Sequence, residues 1–268
     1  MYPVTPPIET MQDAFSVKGL NVAVTGGNRG IGKGIALAFA QSGANVAVLC
    51  RNRASGEEVV SELAQYGGRY VCIPADIADI DSVRAAEKEL FGFFDHLDVL
   101  VNNAGVATTT RFLDDDDMKE WRRVIGTNLM GTANMIHTIA PHMRDHGTGG
   151  SIINISSIGG QNVSDPHFHA NGPYHVSKAG IDMFTRYLSA ELGDFGIRVN
   201  AVAPGPTHSD LDADLPPQML AEIENTMPLH RFGEGIDIGA YCVFLASPAG
   251  CHITGTVCVH DGGMLVVA

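Results

Sequence analysis

From residue 20 onward, short β-branched runs alternate with longer segments of helical period. The runs are LNVAVTG (20–26), NVAVLC (45–50), RYVCIPA (69–75), LDVLVNNAG (97–105), SIINISS (151–157), IRVNAVAPG (197–205) and TVCVHDGG (256–263). Helices are expected near 30–43, 54–66, 79–94, 116–145, 173–194 and 235–246. Apolar strands without polar alternation are buried on both faces, and a helix between successive strands makes them parallel. The pattern predicts an α/β fold, a doubly wound parallel β-sheet flanked by helices on both faces. No linker, repeat or low-complexity segment divides it. Residues 18–268 therefore read as one domain, and residues 1–17 as a Pro-rich arm, mobile or packed on a neighbour.

The first strand runs into TGGNRGIG, Thr25 to Gly32, which opens the first long helix. Glycines at 26, 30 and 32 permit a tight turn and close approach of the backbone to a pyrophosphate. The helix N-terminus behind them offers free N–H groups to an anion. The spacing is GxxxGxG rather than GxGxxG, but the strand–turn–helix context is that of a Rossmann-type dinucleotide site. Asn28, Arg29 and Ile31 complete the loop.

The second strand ends at Cys50, followed by Arg51 and Asn52. Where NAD is preferred, an acidic residue at this strand end binds the ribose 2′-hydroxyl. Its absence, with guanidinium groups at Arg29 and Arg51, favours the 2′-phosphate of NADP(H).

Composition narrows the partners. A net charge of −13 argues against nucleic acid and anionic membranes. Five cysteines, an odd number with no CxxC, read as reduced thiols of an intracellular protein. The N-terminal stretch lacks a basic segment followed by an apolar one, and no run approaches membrane-spanning length, so a cytoplasmic location is expected.

The segment GPYHVSKAG (172–180) places Tyr174 and Lys178 four residues apart on one helical face. Free tyrosine ionises near pH 10, too high for efficient proton transfer at neutral pH. A cation ~4 Å away is worth about 4 kcal/mol at an effective dielectric of 20, roughly three pKa units. The pair therefore suits an acid and the group that tunes it.

Seven motifs now stand in one register: TGGNRGIG, NNAG (102–105), Asn128 in GTNLMG, INISS (153–157), YHVSK (174–178), RVNAVAPG (198–205) and ITGTVCVHDGG (253–263). Over about residues 18 to 263 the chain resembles the short-chain dehydrogenase/reductase family. The resemblance implies Tyr174 as general acid/base, with Lys178 lowering its pKa and holding the nicotinamide ribose. It implies Ser157 on the substrate oxygen and Asn128 keeping a water in a relay to Lys178. Asn103, Ala104 and Gly105 would pass under the adenosine, and Asp76 with Ile77 would edge the adenine. Pro204, Gly205, Thr207 and Ser209 would lie beside the carboxamide. It also implies a homotetramer built on the helices carrying Asn128 and Tyr174 and on the last strand.

Three departures stand out. The segment between Ser157 and Tyr174, IGGQNVSDPHFHANGP, is a few residues longer than in relatives, which predicts an unusual and polar pocket wall. Thr207 and Ser209 replace the usual residues after PGP, and His260 replaces an apolar one. Asp165, His167, His169 and His175 could in principle bind Zn²⁺, but HxH in a loop is a weak signal and no metal is expected. DDDD (114–117) reads as charge at a helix N-terminus. Trp121 reads as a core or interface residue, and NVS (162–164) as a glycosylation match without meaning in the cytosol.

The expected function is NADPH-dependent reduction of a ketone, reversible to secondary-alcohol oxidation. The polar loop and acidic SDLDADLPP (209–217) point to a ketose or polyol-like substrate. Reduction of a 3-oxoacyl thioester is the alternative, opposed by charge because an acyl carrier partner is acidic. A non-catalytic NADP(H) sensor belongs to another class, and would be expected to lose Tyr174 or Lys178.

Overall fold

The structure, a computed structural model, describes residues 8–163, 166, 170–209 and 216–267. Seven strands form one parallel sheet in the order β3-β2-β1-β4-β5-β6-β7. They are β1 Asn21–Thr25, β2 Asn45–Cys50, β3 Tyr70–Pro74, β4 Val99–Asn102, β5 Gly150–Ile155, β6 Ile197–Pro204 and β7 Val257–His260. The order reverses direction between β1 and β4. In such sheets a ligand crevice forms there, outside the carboxyl ends of the strands.

One face of the sheet carries α2 (Gly30–Gln41), α3 (Arg53–Leu63) and α9 (Gly235–Ala246) around a core containing Val22, Ile35, Phe39, Val46, Ile153, Val202 and Cys242. The other carries α4 (Ile80–Phe93), α6 (Gly131–His146) and α7 (Gly172–Leu192) over Ala23, Leu49, Leu100, Ile152 and Val199. Each inner strand is apolar because neighbouring residues point into different, equally dry layers. Helices α2 and α9 touch through backbone: a Cβ on Gly34 would lie 2.2 Å from the carbonyl carbon of Gly235.

The long segment expected at 116–145 is three pieces. Helix α5 (Lys119–Ile125) passes through a π-helical turn, Gly126–Met130, into α6. Of the DDDD run, Asp115 caps α5, its two oxygens accepting from the N–H groups of Glu120 and Trp121 at 2.9 Å each. A short helix α1, Met11–Ala14, precedes β1, and helix α8, Pro217–Thr226, was not expected from periodicity. Ala14 and Val17 are buried and Phe15 packs its ring 6.2 Å from that of Phe244, so this stretch of the arm lies against the domain. A last turn, α10, spans Met264–Val267. Among the described residues no helix is long and apolar enough to cross a membrane.

Candidate active site

The glycine loop is shaped by contacts that exclude side chains. Gly26 and Gly30 have φ of 63° and 49°, which favours glycine. A Cβ on Gly32 would sit 2.2 Å from the Gly26 oxygen and 2.4 Å from Asn103 Nδ2. Arg29 occupies the N-cap of α2 without a side-chain cap, which leaves the first N–H groups of α2 facing the loop. Thr25 joins the loop to β4: its Oγ1 accepts from the N–H groups of Asn103 and Ala104, both at 3.0 Å. Asn103 Nδ2 returns a bond to the Thr25 oxygen at 3.0 Å. This cradle fits a dinucleotide pyrophosphate.

The adenosine end is set by the start of α3. Asn52 caps that helix, accepting from the Ser55 N–H at 3.3 Å, and Asn28 Nδ2 donates to Ser55 Oγ at 2.9 Å. Arg53 pairs with Glu57 and Glu89, whereas Arg51 is exposed and makes no ion pair among the described residues. Asp76 accepts from the Ala78 N–H at 3.0 Å. Ile77 is buried against Gly131, and its carbonyl accepts from Asn134 at 3.0 Å, so its side chain belongs to the core.

Beyond β6, Gly205 donates to the His260 carbonyl at 3.0 Å, and a Cβ there would strike Asp261 Cβ at 2.6 Å. Pro204 pairs with His260 across β6 and β7. Thr207 folds its hydroxyl back onto the Gly205 oxygen at 3.0 Å. Ser209 covers the glycine loop, its Cβ 3.3 Å from where a Cβ on Gly30 would stand. Both residues thus lie beside the cradle.

Between these two ends, α7 brings the reactive groups together. Tyr174 is half-buried and hydrogen-bonded through its side chain to Ser157. Ser157 Oγ accepts from the Gly159 N–H at 3.0 Å, which leaves its own hydrogen to donate. Lys178 is 5% exposed; its Nζ donates to the Ile155 carbonyl at 2.7 Å and stands 5.5 Å from the Tyr174 ring centroid. Burial pushes the phenol above its ordinary value, opposed by the Ser157 hydrogen bond. The depression expected from Lys178 is not produced by the protein alone. Lys178 is itself desolvated, its pKa pushed down to about 8, with the charge of Asp182 opposing the fall.

Asn128 lies buried in the π turn. Its side chain accepts from the Val106 N–H at 2.8 Å and donates to the Val106 oxygen at 2.9 Å and to Ser177 Oγ at 3.1 Å. A π turn recurs at functional sites because it re-aims one residue out of helical phase. Here it ties the NNAG loop to α7, and Gly105 packs beside the Asn128 amide.

A cavity of about 440 Å³ opens beside His175, lined by Phe112, Leu113, Val163, Pro166 and Ala170, with Arg111 and Asn171 among the polar groups. Trp121 packs edge-on against Phe112 at 5.4 Å. The described part of the inserted loop contributes Val163, Pro166 and Ala170 to this wall. Asp165, His167 and His169, like Ser164 and residues 210–215 of the acidic stretch, lie outside the described residues, as do residues 1–7 and Ala268. His175 Nδ1 donates to the Gly159 carbonyl at 2.7 Å. Among the described residues no group of three metal-ligating side chains forms.

Sequence reasoning missed Ser156, Ser177 and Asp182, whose only signal was a polar residue in a phase the helix or strand buries. It also missed the chain Asn102–Asn154–Thr185, linked at 2.9 Å per step across β4, β5 and α7.

Residues 26–265 match the family described as enoyl-(acyl carrier protein) reductase. The chain is 41% identical over 242 residues to the 3-oxoacyl-(acyl-carrier-protein) reductase of Staphylococcus aureus, covering 90% of this chain and 96% of that one. The crystal structure of a short-chain type dehydrogenase/reductase from Mycobacterium marinum superposes with a TM-score of 0.90 at 33% identity, over 95% of this chain and 99% of the other. A gluconate 5-dehydrogenase from Burkholderia cenocepacia, in complex with NADP and tartrate, gives 0.89 at 28% identity over 97% and 100%.

Proposed function

Because the chain belongs to the short-chain dehydrogenase/reductase family, we propose that it reduces a ketone with NADPH, and that Tyr174 is the proton donor. The observation that carries this reading is the convergence of Ser157, Tyr174 and Lys178 at the strand ends, beside a glycine cradle. NADPH, when bound, supplies the hydride. Ser157 donates to the substrate oxygen and fixes the carbonyl against Tyr174. The Tyr174 O–H gives its proton to that oxygen as negative charge develops there. The Lys178 ammonium lowers the cost of the phenolate left behind and offers donors to ribose hydroxyls. Asn128 keeps α7 in register with the NNAG loop. In the reverse direction the same phenol oxygen takes the proton back.

NADPH preference is supported by Arg51, which is exposed and without an ion pair among the described residues, and by the absence of an acid at the end of β2. The NADP complex of the gluconate dehydrogenase is consistent with it. Phe112, Leu113 and Val163 in the described lining of the cavity beside His175 support a ketone with an apolar body, while the polar residues of the inserted loop support a ketose. A 3-oxoacyl thioester is the second reading, favoured by the same wall and by the Staphylococcus relative, and opposed by the −13 charge if an acidic carrier must dock.

The test is a titration of the protein with NADPH and NADH, repeated for Arg51→Asp, then turnover of an apolar ketone, a ketose and a 3-oxoacyl thioester. The reading expects NADPH to bind tighter, the preference to collapse in the variant, and the apolar ketone to have the highest kcat/KM. Tighter NADH binding by the wild type overturns the cofactor assignment. A ketose turned over best overturns the substrate class.

A further inference from the structure

One turn beyond Lys178 on α7 stands a second buried ionisable group. Asp182 is 5% exposed, and its Oδ1 has no hydrogen-bond partner. Its other oxygen faces Gly160, where a Cβ would approach to 3.1 Å, and its side chain bonds Ser156 and Gln161. The Ser156 hydroxyl, between the two, also lies 3.3 Å from the Lys178 carbonyl. Segment 155–161, which carries Ser157, is held to α7 by Lys178 at the Ile155 carbonyl, by His175 at the Gly159 carbonyl, and by Asp182 one turn beyond Lys178.

A carboxyl in this place is costly. Burial pushes Asp182 above the usual carboxylate range, opposed by its bonds to Ser156 and Gln161 and by the charges of Lys178 and Arg186. An apolar side chain would fill the same volume without that cost and without an unpartnered oxygen. What an apolar side chain could not supply is negative charge near a desolvated ammonium.

We propose that Asp182 is a positioning residue for the catalytic site: its carboxylate keeps the Lys178 ammonium charged and clamps the Ser157 turn onto α7. The proposal rests on the reading of Lys178 as the charge that serves Tyr174. Among the described residues, the ionisable groups around this pair are Tyr174, His175 and Arg186 on α7 itself, His175 bonding the Gly159 carbonyl of the turn, and the turn offers the neutral Ser156 and Gln161.

The experiment reads Lys178 directly, without catalysis. The five lysines are labelled with ¹³C at Cε, Lys178 is assigned by its loss in Lys178→Met, and the cofactor-free protein is titrated. Wild type is expected to show a midpoint near the value of about 8. Asp182→Asn keeps the shape and removes the charge, and should lower that midpoint by about one unit or more. Asp182→Ser, smaller and neutral, should lower it likewise and serves if the first variant does not fold. Gln161→Ala, which loosens the turn but leaves the charge, should not move it. Coincident midpoints in wild type, Asp182→Asn and Asp182→Ser overturn the proposal, since a purely structural Asp182 would alter melting and not titration. A moved midpoint in a protein that reduces no carbonyl would uphold the Lys178–Asp182 coupling and sink the reductase reading instead.

Discussion

Lys178 and Ile155 are joined at the carboxyl end of β5, the lysine Nζ donating to the strand's last carbonyl at 2.7 Å. The bond fixes the ammonium at the sheet while the Tyr174 ring stands over it at 5.5 Å. Because Lys178 is desolvated, its proton is lost near pH 8 rather than near 10.5. Below that pH the ammonium is present, and above it the charge is gone. Reductive kcat/KM should therefore be flat below about pH 7 and fall tenfold per unit well above pH 8. A profile flat to pH 9.5 would separate Lys178 from catalysis.

Tyr174→Phe removes the only proton the Ser157–Tyr174 pair can place on a substrate oxygen from the tyrosine side. Loss of a positioned acid costs about 10²–10⁴-fold in rate. NADPH affinity should stay within about threefold, since Lys178 keeps its anchor on Ile155. Fluorescence titration beside steady-state assay checks both halves.

The two arginines after β2 should behave differently although they are two residues apart. Arg53 is tied to Glu57 and Glu89 at exposed sites, and such pairs contribute little. Arg53→Ala should change the NADPH Kd by less than about threefold, and Arg51→Ala should raise it about tenfold or more, the worth of one charge-assisted contact. Equal effects from both variants would count against a phosphate site built on Arg51.

Gly34→Ala would drive a methyl into the backbone of Gly235, 2.2 Å away. Neither helix can yield without shifting, so the change should cost about 3 kcal/mol, at the high end for overpacking. For a domain of this size that lowers Tm by about 6–12 °C in a thermal scan.

Thiol reactivity should follow burial. Cys50 and Cys72 face each other at 3.9 Å with both thiols pushed up by burial, Cys72 to about 12. Cys242 is buried too, and Cys251 is exposed. A thiol reagent at pH 7.5 should label Cys251 first and leave Cys50, Cys72 and Cys242 untouched until the protein unfolds.

The parallel sheet was legible because buried strands are chiefly apolar in LNVAVT, NVAVLC and SIINI, and the bounds of β2 and α9 match the expected ones. Helix α8 was not, although its residues have a helical period, because it opens on a Pro-Pro pair directly after an acidic stretch and buries no residue fully. The site residues were legible where chemistry needs a fixed spacing, as with Tyr174 and Lys178. Spacing says nothing of desolvation, so the upward shift of the phenol and the role of Asp182 had to come from packing. Of the inserted loop, Val163, Pro166 and Ala170 line the cavity with Phe112 and Leu113, a placement that needs the fold and not the spacing of the loop's histidines.

The π turn at Gly126–Met130 has a consequence for how this segment tolerates change. It acts as a phase slip in a screw: one extra residue advances everything after it by about 100°. Before the slip, the thread is set by the wall around Trp121; after it, by the core under Met135 and Ile139. Asn128 sits on the slip itself, pinned to Val106 on one side and Ser177 on the other. Length, not composition, is thus the guarded quantity here. Losing a single residue from this turn would leave every side chain of the site chemically intact and yet dial α6 out of mesh with the rest of the machine.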